Sequence, residues 1–462
     1  MDTRFLGEFL PHILRGHEEW MSAYPPFETD ATLAIAPERV ASVLNELRER
    51  LRENYPFFHP FYAGQMLKPP HPAAVLGYFA AMLINPNNHA LDGGPATGRM
   101  EKEAAAELAS IFGYSSALAH LTGGGTVANL EALWVARNLH PGAAVAYSEH
   151  AHYTHPRMCE LLGIRGIPIP SDGQGRMDLT ILERALRSEE VGTIVATVGT
   201  TGLGACDPLP EILALAKRHD ARVHADAAYG GFFRLASRGD DPVVDPAVFD
   251  ALPACDSIVV DPHKHGLQPY GCGCVMFRDA SVGRFYKHDS PYTYFTSREL
   301  HLGEISLECS RAGASAAALW VTMRLIPFAA DEGLGPILKR CRRAALRWAA
   351  LIRGSESLCL LVEPELDIIA FFPTPGVPLA SEVSRLSDGV FRSCMSDPRK
   401  PVFLSVLRVR TSLLCRHYPW VTADTEWTTV LRSVLMKPEH EDHVDALHAR
   451  VEEAAREVSR NR

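Results

Sequence analysis

No apolar run in these 462 residues is long enough to span a bilayer. The longest, Ala73 to Ile84, falls short of the ~20 residues that a membrane helix needs, and it reads as a buried helix. Cysteine is thinly used: ten are scattered without the regular spacing of a disulfide framework. The stretch Met1 to Trp20 mixes acids, bases and histidines and holds no signal-peptide apolar core, so a reducing cytoplasm is the expected compartment. Positive charge is lacking too. A net charge of −9 offers no field for nucleic acid or an anionic membrane surface, so any anion site has to come from local geometry. Internal repeats, low-complexity tracts and long flexible linkers are absent, and the Rossmann and Walker glycine patterns do not occur.

What is present is the material of a large globular core. A hydrophobic content of 47% with 22% charged residues suits a chain of two to three structural units. Residues 1 to about 60 read as mostly helical. Pro37 opens a stretch with Val40, Val43, Leu44, Leu47 and Leu51 on one face, able to pack on its own core or on a second subunit. From Thr97 to about Phe285 short apolar segments alternate with helices. Ala117–Leu121, Ala144–Tyr147, Thr193–Val198, Arg222–Ala225, Ser257–Val260 and Cys274–Phe277 read as strands, with Met100–Phe112, Val127–Leu139 and Leu209–Arg218 as helices. That alternation predicts an α/β fold around a mainly parallel sheet covered on both faces, with ligands beyond the carboxyl ends of its strands. Beyond about residue 310, helices at Ala312–Leu325, Pro336–Ile352 and Glu439–Arg460 and strands at Asp367–Phe372 and Phe403–Val409 predict a smaller α+β domain.

The loops after those strands carry the chemistry. Asp261-Pro262-His263-Lys264 ends the run Ser257–Val260 and presents one lysine at a strand end. A lysine alone in a loop is ordinarily a solvated charge. Beside apolar strands and histidines it can lose hydration and serve as the neutral amine of a Schiff base. Thr122-Gly123-Gly124-Gly125-Thr126 precedes a helix, where close backbone approach, free N–H groups and the Thr126 hydroxyl suit a phosphate; an ordinary tight turn is the plainer reading of such glycines. Asp226, in Asp-Ala-Ala-Tyr-Gly-Gly, ends a strand among small residues that leave room for a flat ring, and its carboxylate can pair with a protonated ring nitrogen. His150, His152 and His155 are close together but lack metal-ligand spacing, so a stacked imidazole at His152 is favoured, with His150 and His155 read as surface residues. Gly199-Thr200-Thr201 closes another strand with hydroxyls suited to a polar ligand. Phosphate cradle, stacking histidine, ring-nitrogen carboxylate and Schiff-base lysine together form a set for pyridoxal phosphate.

On these stretches, and on His59-Pro60-Phe61-Tyr62-Ala63-Gly64-Gln65, the chain resembles the group II pyridoxal phosphate-dependent amino acid decarboxylases, the family of glutamate, aromatic L-amino acid and tyrosine decarboxylases. The resemblance implies the aspartate-aminotransferase-like fold type I, as a homodimer with shared active sites. It also implies a helical segment over residues 1–60 packed on the partner, a large cofactor domain over 61–325 and a small C-terminal domain over 326–462. By the same resemblance Lys264 carries the cofactor, Asp226 pairs with the pyridine nitrogen and His152 stacks on the ring. Gly124, Gly125, Thr126 and His263 hold the phosphate, while Thr200, Thr201 and Ala228 border the ring. Tyr62, Gln65 and Phe79 face the substrate, Arg432 receives its α-carboxylate, and Tyr292 or Tyr294, on a loop after the lysine, donates a proton. The implied reaction is decarboxylation of an L-amino acid, with an aromatic, tyrosine-like substrate favoured. An acidic substrate, served by Gln65 and Arg99, and a decarboxylation that ends in an aldehyde are the alternatives.

Overall fold

The computed structural model describes residues 3–90, 92–287, 306–397 and 399–460. Its centre is a seven-stranded sheet. The strands are β1 (Leu118–Thr122), β2 (Ala144–Ser148), β3 (Gly166–Ile169), β4 (Val191–Thr197), β5 (Arg222–Asp226), β6 (Ser257–Val260) and β7 (Gly273–Phe277). They lie in the order β1-β7-β6-β5-β4-β2-β3. Neighbours from β3 to β6 run parallel, and β7 is inserted antiparallel between β6 and β1. All of β4 and β6 is buried, as strands covered on both faces require, and their β-branched residues suit that setting. The mainly parallel sheet expected from the sequence is therefore present. β3 was not anticipated: it has four residues, includes Pro168 and lies at the sheet's edge, where a missing N–H is tolerated.

A second sheet, entirely antiparallel, follows. It contains β8 (Leu358–Leu360), β9 (Ile368–Pro373), β10 (Ser405–Arg410) and β11 (Trp427–Val434), in the order β10-β11-β9-β8. The sequence pattern concealed β11, because the buried polar residues Thr428, Arg432 and Ser433 interrupt what would otherwise read as an apolar strand. Helices Leu334–Arg353, Ala380–Ser396 and His440–Arg460 close over this sheet around Trp348, Phe371 and Leu447.

Helices Thr3–Ser22 and Pro37–Leu51 bury no residue in the single chain, and Val43, Leu44 and Leu51 are each more than half exposed. None of the ten cysteines is disulfide-bonded. Among the described residues no helix is long and apolar enough to cross a membrane.

With β2 to β6 parallel, and β1 sharing their direction through β7, the carboxyl ends of six strands open on one side of the sheet. The turns that follow them bring together residues far apart in the chain.

Candidate active site

Those turns enclose a cavity of about 350 Å³ lined by Gly124, Thr126, His152, Thr201, Asp226 and Lys264, among others. Its floor begins where β1 gives way to the helix Gly125–Leu139. Gly124 has φ +147°, a conformation open mainly to glycine. A side chain on Gly125 would place its Cβ 2.7 Å from Asp261 Oδ2, so this backbone can lie against Asp261 only without one. Helix-start N–H groups and the Thr126 hydroxyl, 3.5 Å from that of Thr154, face the same space. His263 completes the cradle: its ring lies 3.2 Å from where a Cβ on Gly124 would sit, and its buried Nδ1 has no partner.

Lys264 lies 2.9 Å from Asp261 Oδ2, so a carboxylate, and not only apolar strand surface, surrounds its ammonium. Asp261 is itself almost wholly buried, and its Oδ1 is without a partner.

Asp226 ends β5, accepts a 3.2 Å hydrogen bond from Ala228 N–H on Oδ1 and faces His155 Nε2 at 2.7 Å with Oδ2. Burial pushes this carboxyl up, but the hydrogen bond and charge of His155, with Lys264 adding, hold it well below the usual carboxylate range. His155 is completely buried, which corrects its reading as a surface residue. It stands in the first turn of the helix Thr154–Leu162 and reaches Asp226 at the end of β5. Behind it His224 donates from Nε2 to Asn129 Oδ1 and accepts from Ser257 on Nδ1, both at 2.8 Å. Burial, with neighbouring His155 adding, lowers His224 to about 3, so it stays neutral.

His152 accepts on Nδ1 from Thr154 N–H at 3.2 Å and contacts the Thr154 hydroxyl at 2.8 Å. In the neutral ring this leaves the proton on Nε2. Burial lowers its basicity against the opposing charge of Asp226, with Lys264 and His155 lowering it further. Thr201 and Ala228 line the cavity as expected. Thr200 does not: it is fully buried, and its Oγ1 accepts from Ala205 N–H at 3.1 Å, bracing the turn after β4.

The substrate-facing residues are only partly assembled. Arg432 on β11, Gln65 and Tyr62 form a separate group beside the cavity. Arg432 donates to Gln65 Oε1 at 3.2 Å and to Ser405 Oγ at 3.3 Å, and its Nε and Nη2 are buried without partners. Tyr62 accepts at 3.4 Å from Gln65 N–H, and the Arg432 charge reaches Tyr62 and Tyr229. Phe79, on the helix Pro72–Met82, and the exposed Arg99 do not line the cavity. Tyr292 and Tyr294 lie outside the described residues. The sequence reading gave no role to His155 or Asp261, although both belong to motifs it singled out.

These residues fit a phosphorylated pyridine. The cradle offers glycine backbone and an unpartnered imidazole nitrogen, Asp226 offers a carboxylate held anionic, and Lys264 offers an amine across the same cavity. Among the described residues no cluster of three His, Cys, Asp or Glu is placed to hold a metal ion.

The family model "Pyridoxal-dependent decarboxylase conserved domain" matches residues 25–373. The chain is 30% identical to an L-aspartate decarboxylase of Thermococcus kodakarensis, over 72% of this chain and 86% of that one. It is 26% identical to an L-tyrosine decarboxylase of Levilactobacillus brevis, over 69% of this chain and 68% of that one. Among solved structures, Oryza sativa TDC with PLP and tryptamine superposes with a TM-score of 0.78 at 19% identity, covering 97% of this chain and 98% of that one.

Proposed function

The chain belongs to the pyridoxal-dependent decarboxylase family, with pyridoxal phosphate as cofactor and an amino acid as substrate, and on that premise we propose that it decarboxylates an aromatic, tyrosine-like L-amino acid to its amine. One observation carries the reading: a lysine, a buried carboxylate held anionic and a glycine cradle converge on a single cavity.

When bound, pyridoxal phosphate supplies an electron-accepting ring that stabilises the charge left on Cα as the carboxylate departs. On this reading Lys264 is the amine that would hold the cofactor at its aldehyde carbon. Asp226, kept anionic by His155, keeps the ring nitrogen protonated. Gly124, Gly125, Thr126 and His263 bind the phosphate. His152, with Nδ1 occupied by Thr154, keeps its N–H on Nε2 as a hydrogen-bond donor in the cavity. Arg432 takes the α-carboxylate with its unpartnered nitrogens.

The aromatic preference follows from the walls. Tyr270 packs on His263 with ring centroids 4.8 Å apart, Tyr153 packs on His152 at 4.2 Å, and both tyrosines line the cavity. Among the described lining residues Lys264 is the only lysine or arginine, and the cofactor occupies it. With Arg432 committed to the α-carboxylate, a second substrate carboxylate finds no further lysine or arginine among the described lining residues.

A second copy of the chain completes the assembly on this reading. The apolar face Val40, Val43, Leu44, Leu47 and Leu51 is 41–59% exposed over one continuous helical stripe, a pattern that marks an interface.

The test is CO₂ release from L-tyrosine and L-aspartate by the purified holoenzyme, read beside an oxygen electrode. Release from tyrosine with no oxygen uptake supports the proposal. Preference for aspartate overturns the substrate assignment, and oxygen uptake matching CO₂ moves the reaction to aldehyde formation.

A further inference from the structure

Beyond the cofactor contacts, one buried carboxylate touches both turns that hold the cofactor. Asp367 immediately precedes β9 of the second sheet and is completely buried, with its backbone oxygen accepting from Leu435 N–H at 2.9 Å. Its Oδ1 accepts the Tyr229 hydroxyl at 2.6 Å. Its Oδ2 faces His265 Nε2 at 3.3 Å, within ion-pair distance but off the angle of a hydrogen bond, and both atoms are otherwise without partners. Tyr229 stands three residues after Asp226 in the turn after β5 and lines the cavity. His265 directly follows Lys264 in the turn after β6 and is completely buried, its ring 4.8 Å from that of Tyr229 and 5.0 Å from that of Phe233.

We infer that Asp367 is a positioning residue that clamps the Asp226 turn to the Lys264 turn, through Tyr229 on one side and His265 on the other. It touches neither substrate nor cofactor. Its carboxylate comes from the small sheet, so it also ties that sheet, which carries Arg432 on β11, to the loops of the large one. The register places Arg432 opposite Ala370 on β9, three residues beyond Asp367. A shared carboxylate suits this task because one oxygen accepts the Tyr229 hydroxyl while the other faces His265, and burial strengthens both contacts. The inference rests on the assignment of Lys264 and Asp226 to the cofactor.

The experiment compares Asp367→Asn, Tyr229→Phe, His265→Gln and the double variant Tyr229→Phe/His265→Gln. Cofactor dissociation constants and the pH titration of the lysine-bound cofactor's absorbance are measured beside kcat and KM. Asp367→Asn is expected to weaken cofactor retention about tenfold, the scale of one hydrogen bond to a charged group, and to move the absorbance midpoint. The two single losses are expected to combine less than additively, because each disables the same clamp. Tyr229→Phe, which removes one oxygen, keeps the question answerable if the Asp367 variant does not fold. Unchanged dissociation constants and midpoints in folded variants, or simple additivity, would overturn the inference. Absence of a cofactor band in the unmodified protein would instead overturn the cofactor assignment beneath it.

Discussion

Replacing His155 by leucine removes the one side chain that donates to Asp226, across 2.7 Å in a fully buried site. Leucine is close enough in bulk to fill most of the space, so the loss is chiefly electrostatic. Removing one partner of a buried pair leaves an uncompensated charge and typically costs ~3–5 kcal/mol. His155→Gln keeps an N–H near the same place without the ring's charge, and should recover at least half of that loss. The pH dependence follows from the sign of the shift. The Asp226 carboxyl lies below its ordinary range in the folded protein, so its stabilising contribution is complete above about pH 4 and is lost as the pH falls toward the folded value. In the leucine variant burial acts without that hydrogen bond, so the gap between the two proteins is widest at neutral pH and narrows in acid. Thermal midpoints of the cofactor-free proteins from pH 4 to 8 measure the gap, and cofactor dissociation constants measure its consequence, expected to be at least a tenfold weakening for ~1.4 kcal/mol of the loss. A His155→Leu protein with an unchanged midpoint at pH 7 and unchanged cofactor affinity would refute the assignment of His155 as the support of Asp226.

Three further outcomes follow. Gly125→Ala sets a Cβ 2.7 Å from Asp261 Oδ2, so cofactor titration should show binding weakened about tenfold or more, the factor that ~1.4 kcal/mol of strain produces. Arg432→Gln should leave cofactor absorbance unchanged while kcat/KM falls roughly 100-fold, the ~3 kcal/mol of a charged hydrogen-bond pair, chiefly through KM. Val43→Asp with Leu47→Asp should lower the sedimentation coefficient toward that of a single chain, since charge on the exposed apolar stripe opposes its burial by a second copy.

The parts of the site that the sequence revealed are those marked by strand ends. Lys264, Asp226 and the glycines at 123–125 each follow a short apolar run, and the order of runs and helices predicts that their turns share one edge of a parallel sheet. What stayed hidden depends on which way a side chain turns once helices pack. His155, like His150, looked like a surface residue because the helix Thr154–Leu162 that turns it inward was not anticipated. The position of Arg432 came from family resemblance and not from pattern, since the polar residues that make β11 useful also disguise it as a strand. Asp367 was seen as the start of a strand, yet nothing local discloses that it reaches Tyr229, 138 positions away. Long-range pairing of this kind is fixed by tertiary packing, and short-range periodicity carries no trace of it.

On the proposed function Lys264, and no other lysine, holds the cofactor. Lys68 and Lys437 are the informative rivals, because burial lowers both of them, Lys437 to about 7, and favours the reactive neutral amine. Borohydride reduction of the holoenzyme, followed by peptide mass spectrometry, traps the cofactor on whichever lysine carries it. One phosphopyridoxyl group is expected, on the peptide containing Lys264, and none in Lys264→Ala. The same group on Lys68 or Lys437, or on no lysine at all, would contradict it.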